Sequence, residues 1–76
     1  MNVNNPTFSD LFGQLGLATD EASIEQFIDR NKGLPHSIHI EDAPFWNPSQ
    51  AAFISGSLQE DAEWAELIDQ LNARLR

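Results

Sequence analysis

The stretch Pro44-Phe45-Trp46-Asn47-Pro48 restricts this chain more than any other five residues in it. Two prolines, each without a backbone N–H, exclude a continuous helix through the segment. Asn47 is a favoured N-cap and Pro48 suits the first helical position, so a new helix is predicted to begin at Pro48. A connector has no need of Phe45 and Trp46. These rings are either anchored in a core or offered to a partner, and the choice between the two governs the functional reading.

Around this break the apolar residues recur at helical spacing. Thr7 with Asp10 forms an approximate capping box, and Phe8, Leu11, Phe12 and Leu15 follow the i, i+3, i+4, i+7 pattern, with Gly16 as a stop. Thr19 is the expected cap of a second helix, with Asp20 and Glu21 in its first turn and Ile24, Phe27 and Ile28 as its stripe. Lys32-Gly33 ends it and Pro35 prevents its resumption. In the third helix Ala51, Ile54 and Leu58 lie together, while Phe53 points about 100° or more away from them. Phe45 and Trp46, folding back over the helix start, are the expected cover for Phe53. Ser55-Gly56-Ser57 interrupts the pattern, and Ser57 with Glu60 reads as a capping box for a fourth helix. There Trp64, Leu67, Ile68, Leu71 and Leu75 share one face. Because glycine is tolerated inside a helix, one long kinked helix is the alternative for the last two.

The expected fold is therefore all-α: a compact bundle of four short helices over about 7–15, 20–31, 48–57 and 58–75. Residues 34–46 are the irregular part. Leu34, Ile38 and Ile40 alternate with polar neighbours, but no second strand is visible for them to pair with. An apolar-anchored crossover is the preferred reading, with pairing to a second subunit as the other. A single domain spans 1–76, with 1–6 as a flexible N-terminal arm.

With 76 residues and no cysteine, neither a disulfide nor a thiolate metal site can support the fold. The thin margin of so small a core makes burial in a homodimer attractive. Twelve acidic residues against four basic ones give a net charge of −8, spread along the chain rather than held in a tail. Such a field repels phosphate backbones and anionic lipid, so neither nucleic acid nor membrane is an expected partner. The N-terminus lacks a basic segment followed by an apolar run, and a cytoplasmic location is expected.

Sites for chemistry are sparse. His36-Ser37-Ile38-His39, followed by Glu41 and Asp42, holds metal-type donors, but the histidine interval is three rather than the four that aligns two imidazoles on a helix. Solvent-facing histidines are the favoured reading. There is no G-x-S-x-G elbow and no phosphate-cradling loop, so no catalytic residue, cofactor or metal is assigned and the chain is not expected to be an enzyme. The acidic helix faces, including Asp61, Glu63, Glu66 and Asp69, admit mimicry of a polyanion directed at a basic nucleic-acid-binding protein. Their spread over half the helix circumference is also that of an ordinary solvated face. Tryptophan is enriched at interface hot spots, so Phe45, Trp46 and Phe53 are the candidate partner surface.

The run Ala43-Pro44-Phe45-Trp46-Asn47-Pro48-Ser49-Gln50-Ala51-Ala52-Phe53, with Glu60-Asp61-Ala62-Glu63-Trp64-Ala65, Leu71-Asn72-Ala73-Arg74-Leu75 and the early Leu11-Phe12-Gly13-Gln14-Leu15-Gly16-Leu17, resembles a small proteobacterial domain family of unknown function. The resemblance implies a stand-alone helical bacterial protein and supplies no activity, substrate or site. The functional expectation is an uncharacterised protein-interaction or regulatory module, acting on an unknown protein partner or on a second copy of itself.

Overall fold

The computed structural model describes residues 6–76; the expected N-terminal arm lies outside the described residues except for Pro6. The fold is all-α, with helices α1 (Phe8–Gln14), α2 (Glu21–Asn31), α3 (Pro48–Glu60) and α4 (Ala62–Leu75), and one 3-10 turn at Ile40–Asp42. No strand occurs among the described residues. No helix among them is long and apolar enough to cross a membrane.

Each helix starts where its capping chemistry is strongest. In α1 the box is complete: Thr7 N donates to Asp10 Oδ2 at 3.0 Å, and Asp10 N donates to Thr7 Oγ1 at 3.3 Å. The α2 cap is Asp20, not Thr19, because the carboxylate accepts from Ser23 N at 3.0 Å. Thr19 instead accepts, through its carbonyl, a 2.7 Å bond from Ser9 Oγ that ties the loop back onto α1. In α3, Asn47 and Gln50 form a second full capping box with bonds of 2.8 and 2.9 Å, and Pro48 takes the first turn. Gln50 does a further job: its Nε2 donates to Leu15 O at 2.9 Å, fastening the start of α3 to the end of α1.

The break between the last two helices falls at Asp61 rather than Ser57. Ser57 lies inside α3 and is buried, its carbonyl accepting from Asp61 N at 3.0 Å. Asp61 has extended backbone, with φ −137° and ψ 103°, and its Oδ1 accepts from Glu63 N and Trp64 N. The reason is burial. Ile54 and Ser57 continue the inner stripe of α3 past Gly56, so tertiary packing carries the helix through a sequence that locally favours a stop. The two helices are thus separate, joined through a single residue.

The core is one cluster. Leu11, Phe12, Ile54, Ile68, Leu71 and Leu75 are essentially sealed from solvent, and Leu15, Ile24, Ile28 and Leu67 complete the helical contributions. At roughly 1.5–3 kcal/mol per fully buried large side chain, this cluster is the main source of stability. α4 is the central element, packing against α1, α2 and α3. Its last carbonyl, on Leu75, accepts bonds of 2.8 Å from both Gly33 N and Leu34 N. The α4 C-terminus is therefore capped by the turn that ends α2, and Arg76 reinforces this by donating to the Pro35 carbonyl. Gly33 reaches the required geometry at φ +97°, a left-handed backbone that residues with a Cβ rarely adopt.

Residues 34–46 form the crossover, not a strand. Leu34, Ile40, Ala43 and Trp46 are buried anchors along it, with Ile38 packed at its edge. The 3-10 turn, which hydropathy alternation does not signal, packs on α3.

Candidate functional site

The five residues around Trp46 are first of all a structural lock. The indole is 8 % exposed, and its Nε1 donates to Ile40 O at 2.8 Å, a buried bond closing the crossover on itself. Phe27 of α2 stacks on the indole, with centroids 5.6 Å apart and planes 22° from parallel. Phe45 then packs edge-on against both, 4.8 Å from Trp46 and 5.6 Å from Phe27, and Phe12 meets Phe27 edge-to-face at 5.3 Å. Such offset and edge-to-face pairs contribute beyond area burial, about 0.5–1.5 kcal/mol each. Of the two consecutive rings Trp46 is thus an inner wall, and Phe45 is partly buried at the rim.

Phe53 does not take Phe45 or Trp46 as its cover. Its ring meets Trp64 of α4, centroids 5.7 Å apart at 75°. The sharp turn at Asp61 folds the first turn of α4 beside α3, so a ring pointing off the inner stripe of α3 finds the N-terminal end of the α4 stripe. The three residues proposed from sequence are therefore not one surface. Phe45 and Trp46 lie together; Phe53 stands at a second place, with Trp64.

That second place is an open groove of about 410 Å³, lined by Ala52, Phe53, Gly56, Ser57, Glu60, Asp61 and Trp64. Phe53 and Trp64 are both only partly buried. Its charged lining is acidic, with Glu60 at the end of α3 and Asp61 at the break itself. Trp64 is legible in sequence as a member of the α4 stripe; its role as a groove wall is not, because that depends on where α3 ends.

The remaining charged residues are ordinary surface groups. Arg74 Nη2 pairs with Glu25 Oε1 at 2.8 Å, both side chains nearly half exposed, joining α4 to α2 across the outside. The hydrogen bonds of the Ser23 hydroxyl and amide to its carboxylate hold Asp20 below the usual carboxylate range. His36 and His39 are both exposed in the crossover, and no group of three or more His, Cys, Asp or Glu side chains able to hold a metal ion occurs among the described residues.

A family model described as a protein of unknown function (DUF2789) matches residues 1–75 of the 76-residue chain. No curated protein and no solved structure matches it.

Proposed function

We propose that this chain, which belongs to the DUF2789 family, works by binding a protein partner as a small interaction or regulatory module, without catalysing a reaction. The observation that carries this reading is the Phe53–Trp64 pair: two large aromatics in edge-to-face contact, both only partly buried, lining an open groove with acidic residues beside them. Exposed aromatic pairs with a polar rim are typical anchors of protein interfaces. Phe45 offers a smaller, separate apolar rim. The cytoplasmic setting is part of the same proposal, and a chain without cysteine fits it.

The test is affinity capture with the tagged full chain in the cells it comes from, comparing Phe53→Ala and Trp64→Leu with Phe45→Ala. Retained circular dichroism establishes that each variant is folded. The reading expects specific partners lost with the first two variants and kept with the third. Identical capture by all of them would sink it. Light scattering at micromolar concentration separates a different partner from a second copy.

A further inference from the structure

One residue in the groove has no explanation in the fold. Gly56 sits in the interior of α3, its φ is not left-handed, and a Cβ built on it would meet no atom within 4 Å. Neither backbone strain nor internal packing requires glycine there, although glycine weakens a helix interior relative to alanine. Ala52 lies one turn earlier on the same face. The groove floor is therefore nearly bare helix backbone, walled by the rings of Phe53 and Trp64. A floor of this kind lets a second helix approach closely, since the distance between packed helices is set by the side chains at the contact.

Charge decides which helix. The only charged side chains lining the groove are Glu60 and Asp61. All four basic residues lie elsewhere in the chain, at Arg30, Lys32, Arg74 and Arg76. Arg74, the base nearest to Trp64 along α4, is roughly 15 Å of helix away and is paired with Glu25. A second copy would bring the same acidic groove and a net charge of −8 against its twin.

We infer that the groove binds a basic amphipathic helix of a protein partner. Its apolar face rests on Ala52, Gly56, Phe53 and Trp64, and its Lys or Arg flanks face Glu60 and Asp61. This inference rests on the interaction reading above and adds the secondary structure and charge of the partner.

The experiment uses the full chain and three labelled peptides with one common Leu/Ala face. Each is long enough for about five helical turns, roughly 27 Å, and the outer face is Lys, Gln or Glu. Anisotropy gives affinities, and amide and indole chemical shifts locate the contact. The Lys peptide is expected to bind at least about tenfold more tightly than the Gln peptide, with no binding by the Glu peptide. Its shifts should centre on Ala52, Gly56 and the Trp64 indole. Gly56→Gln, which leaves the net charge unchanged, should weaken binding about tenfold or more while Tm stays level or rises. Gly56→Ala, the folding control, should raise Tm by roughly 2–8 °C.

Unchanged affinity in Gly56→Gln overturns the inference, as does a shift pattern centred on the acidic outer face of α2 (Glu21, Glu25, Asp29). Equal binding of the Lys and Gln peptides in the groove overturns the basic partner and leaves the interaction reading intact. A dimer dissolved by Gly56→Gln in the absence of peptide assigns the groove to a second copy and overturns it too.

Discussion

Replacing Trp46 by phenylalanine isolates what the indole does for the crossover. Phe keeps an aromatic ring against Phe27, where the indole now stacks at 5.6 Å, but removes the Nε1–H that reaches Ile40 O at 2.8 Å. The Ile40 carbonyl keeps its 3.2 Å bond from Ala43 N, so what is lost is one of its two hydrogen bonds, a net cost of about 0.5–1.5 kcal/mol. The smaller ring leaves a void at a site 8 % exposed, which adds about 1 kcal/mol where the surroundings collapse only in part. The expected loss is therefore about 1.5–2.5 kcal/mol. A chain of 76 residues has a total stability of roughly 4–11 kcal/mol, so the variant folds but with a large fraction of its margin gone. Urea unfolding followed by circular dichroism reads the change directly. With m near 1 kcal/mol/M for a domain of this size, the midpoint should fall by about 1.5–2.5 M at constant m. Trp46→Ala, which loses the stack as well, should leave little folded protein. A Trp46→Phe variant within about 0.5 kcal/mol of the parent would show that the Ala43 N–H bond alone holds the Ile40 carbonyl and that the indole bond adds little. It would refute the view that the indole locks the crossover, and would return Trp46 to the candidate partner surface.

Other consequences follow from the caps and turns. Asp61→Ala should cost about 0.5–2 kcal/mol through loss of the α4 cap, whereas Asn or Ser there should restore most of it; a neutral Asp61→Ala would contradict the observed break. Gly33→Ala forces a Cβ into φ +97° at the turn that caps α4, so a loss of about 1–2 kcal/mol, visible as a lower Tm, is expected. Glu25→Gln opens the exposed pair with Arg74 and should change stability by no more than about 1 kcal/mol, less at high salt. Asp20 titrates below its ordinary value of 3.8 in the folded state because the Ser23 hydroxyl and amide bond its carboxylate. Its contribution is thus fully present above that ordinary value and is lost as pH falls through the lower folded-state value. Between pH 5 and pH 2, on the order of the ordinary carboxylate range, the denaturation midpoint of Asp20→Asn should fall less steeply than that of the parent; parallel slopes would refute the assignment.

The number of helices, most of their inner faces and two of the helix starts could be read from single residues, while the α2 start lay one residue off. Phe8, Leu11, Phe12 and Leu15 on one side, and Leu67, Ile68, Leu71 and Leu75 on another, are fixed by spacing alone, because a 3.6-residue period admits only one way to bury them. Thr7 with Asp10 and Asn47 with Pro48 announce their helix starts through local hydrogen bonds that need no other part of the chain. The 34–46 stretch was legible as an apolar-anchored crossover, since its alternating residues had no strand to pair with, while its 3-10 turn was not. Membership of a family of unknown function was likewise legible from the aromatic run and the motifs around it.

Decisions between competing local signals were not legible. Ser57 and Asp61 are both competent caps, and what separates them is whether Ser57 is wanted inside, which depends on the packing of α3 against α4. From that choice the rest of the candidate site follows. Moving the break by one turn placed Trp64 beside Phe53, left Phe45 and Trp46 to Phe27, and opened a groove over Gly56. The sequence by itself determined that Phe-Trp between two prolines cannot be a passive connector. Only the tertiary structure decided which rings are spent on stability and which face outward. Ring partners across helices are set by interhelical geometry, which residue periodicity does not encode.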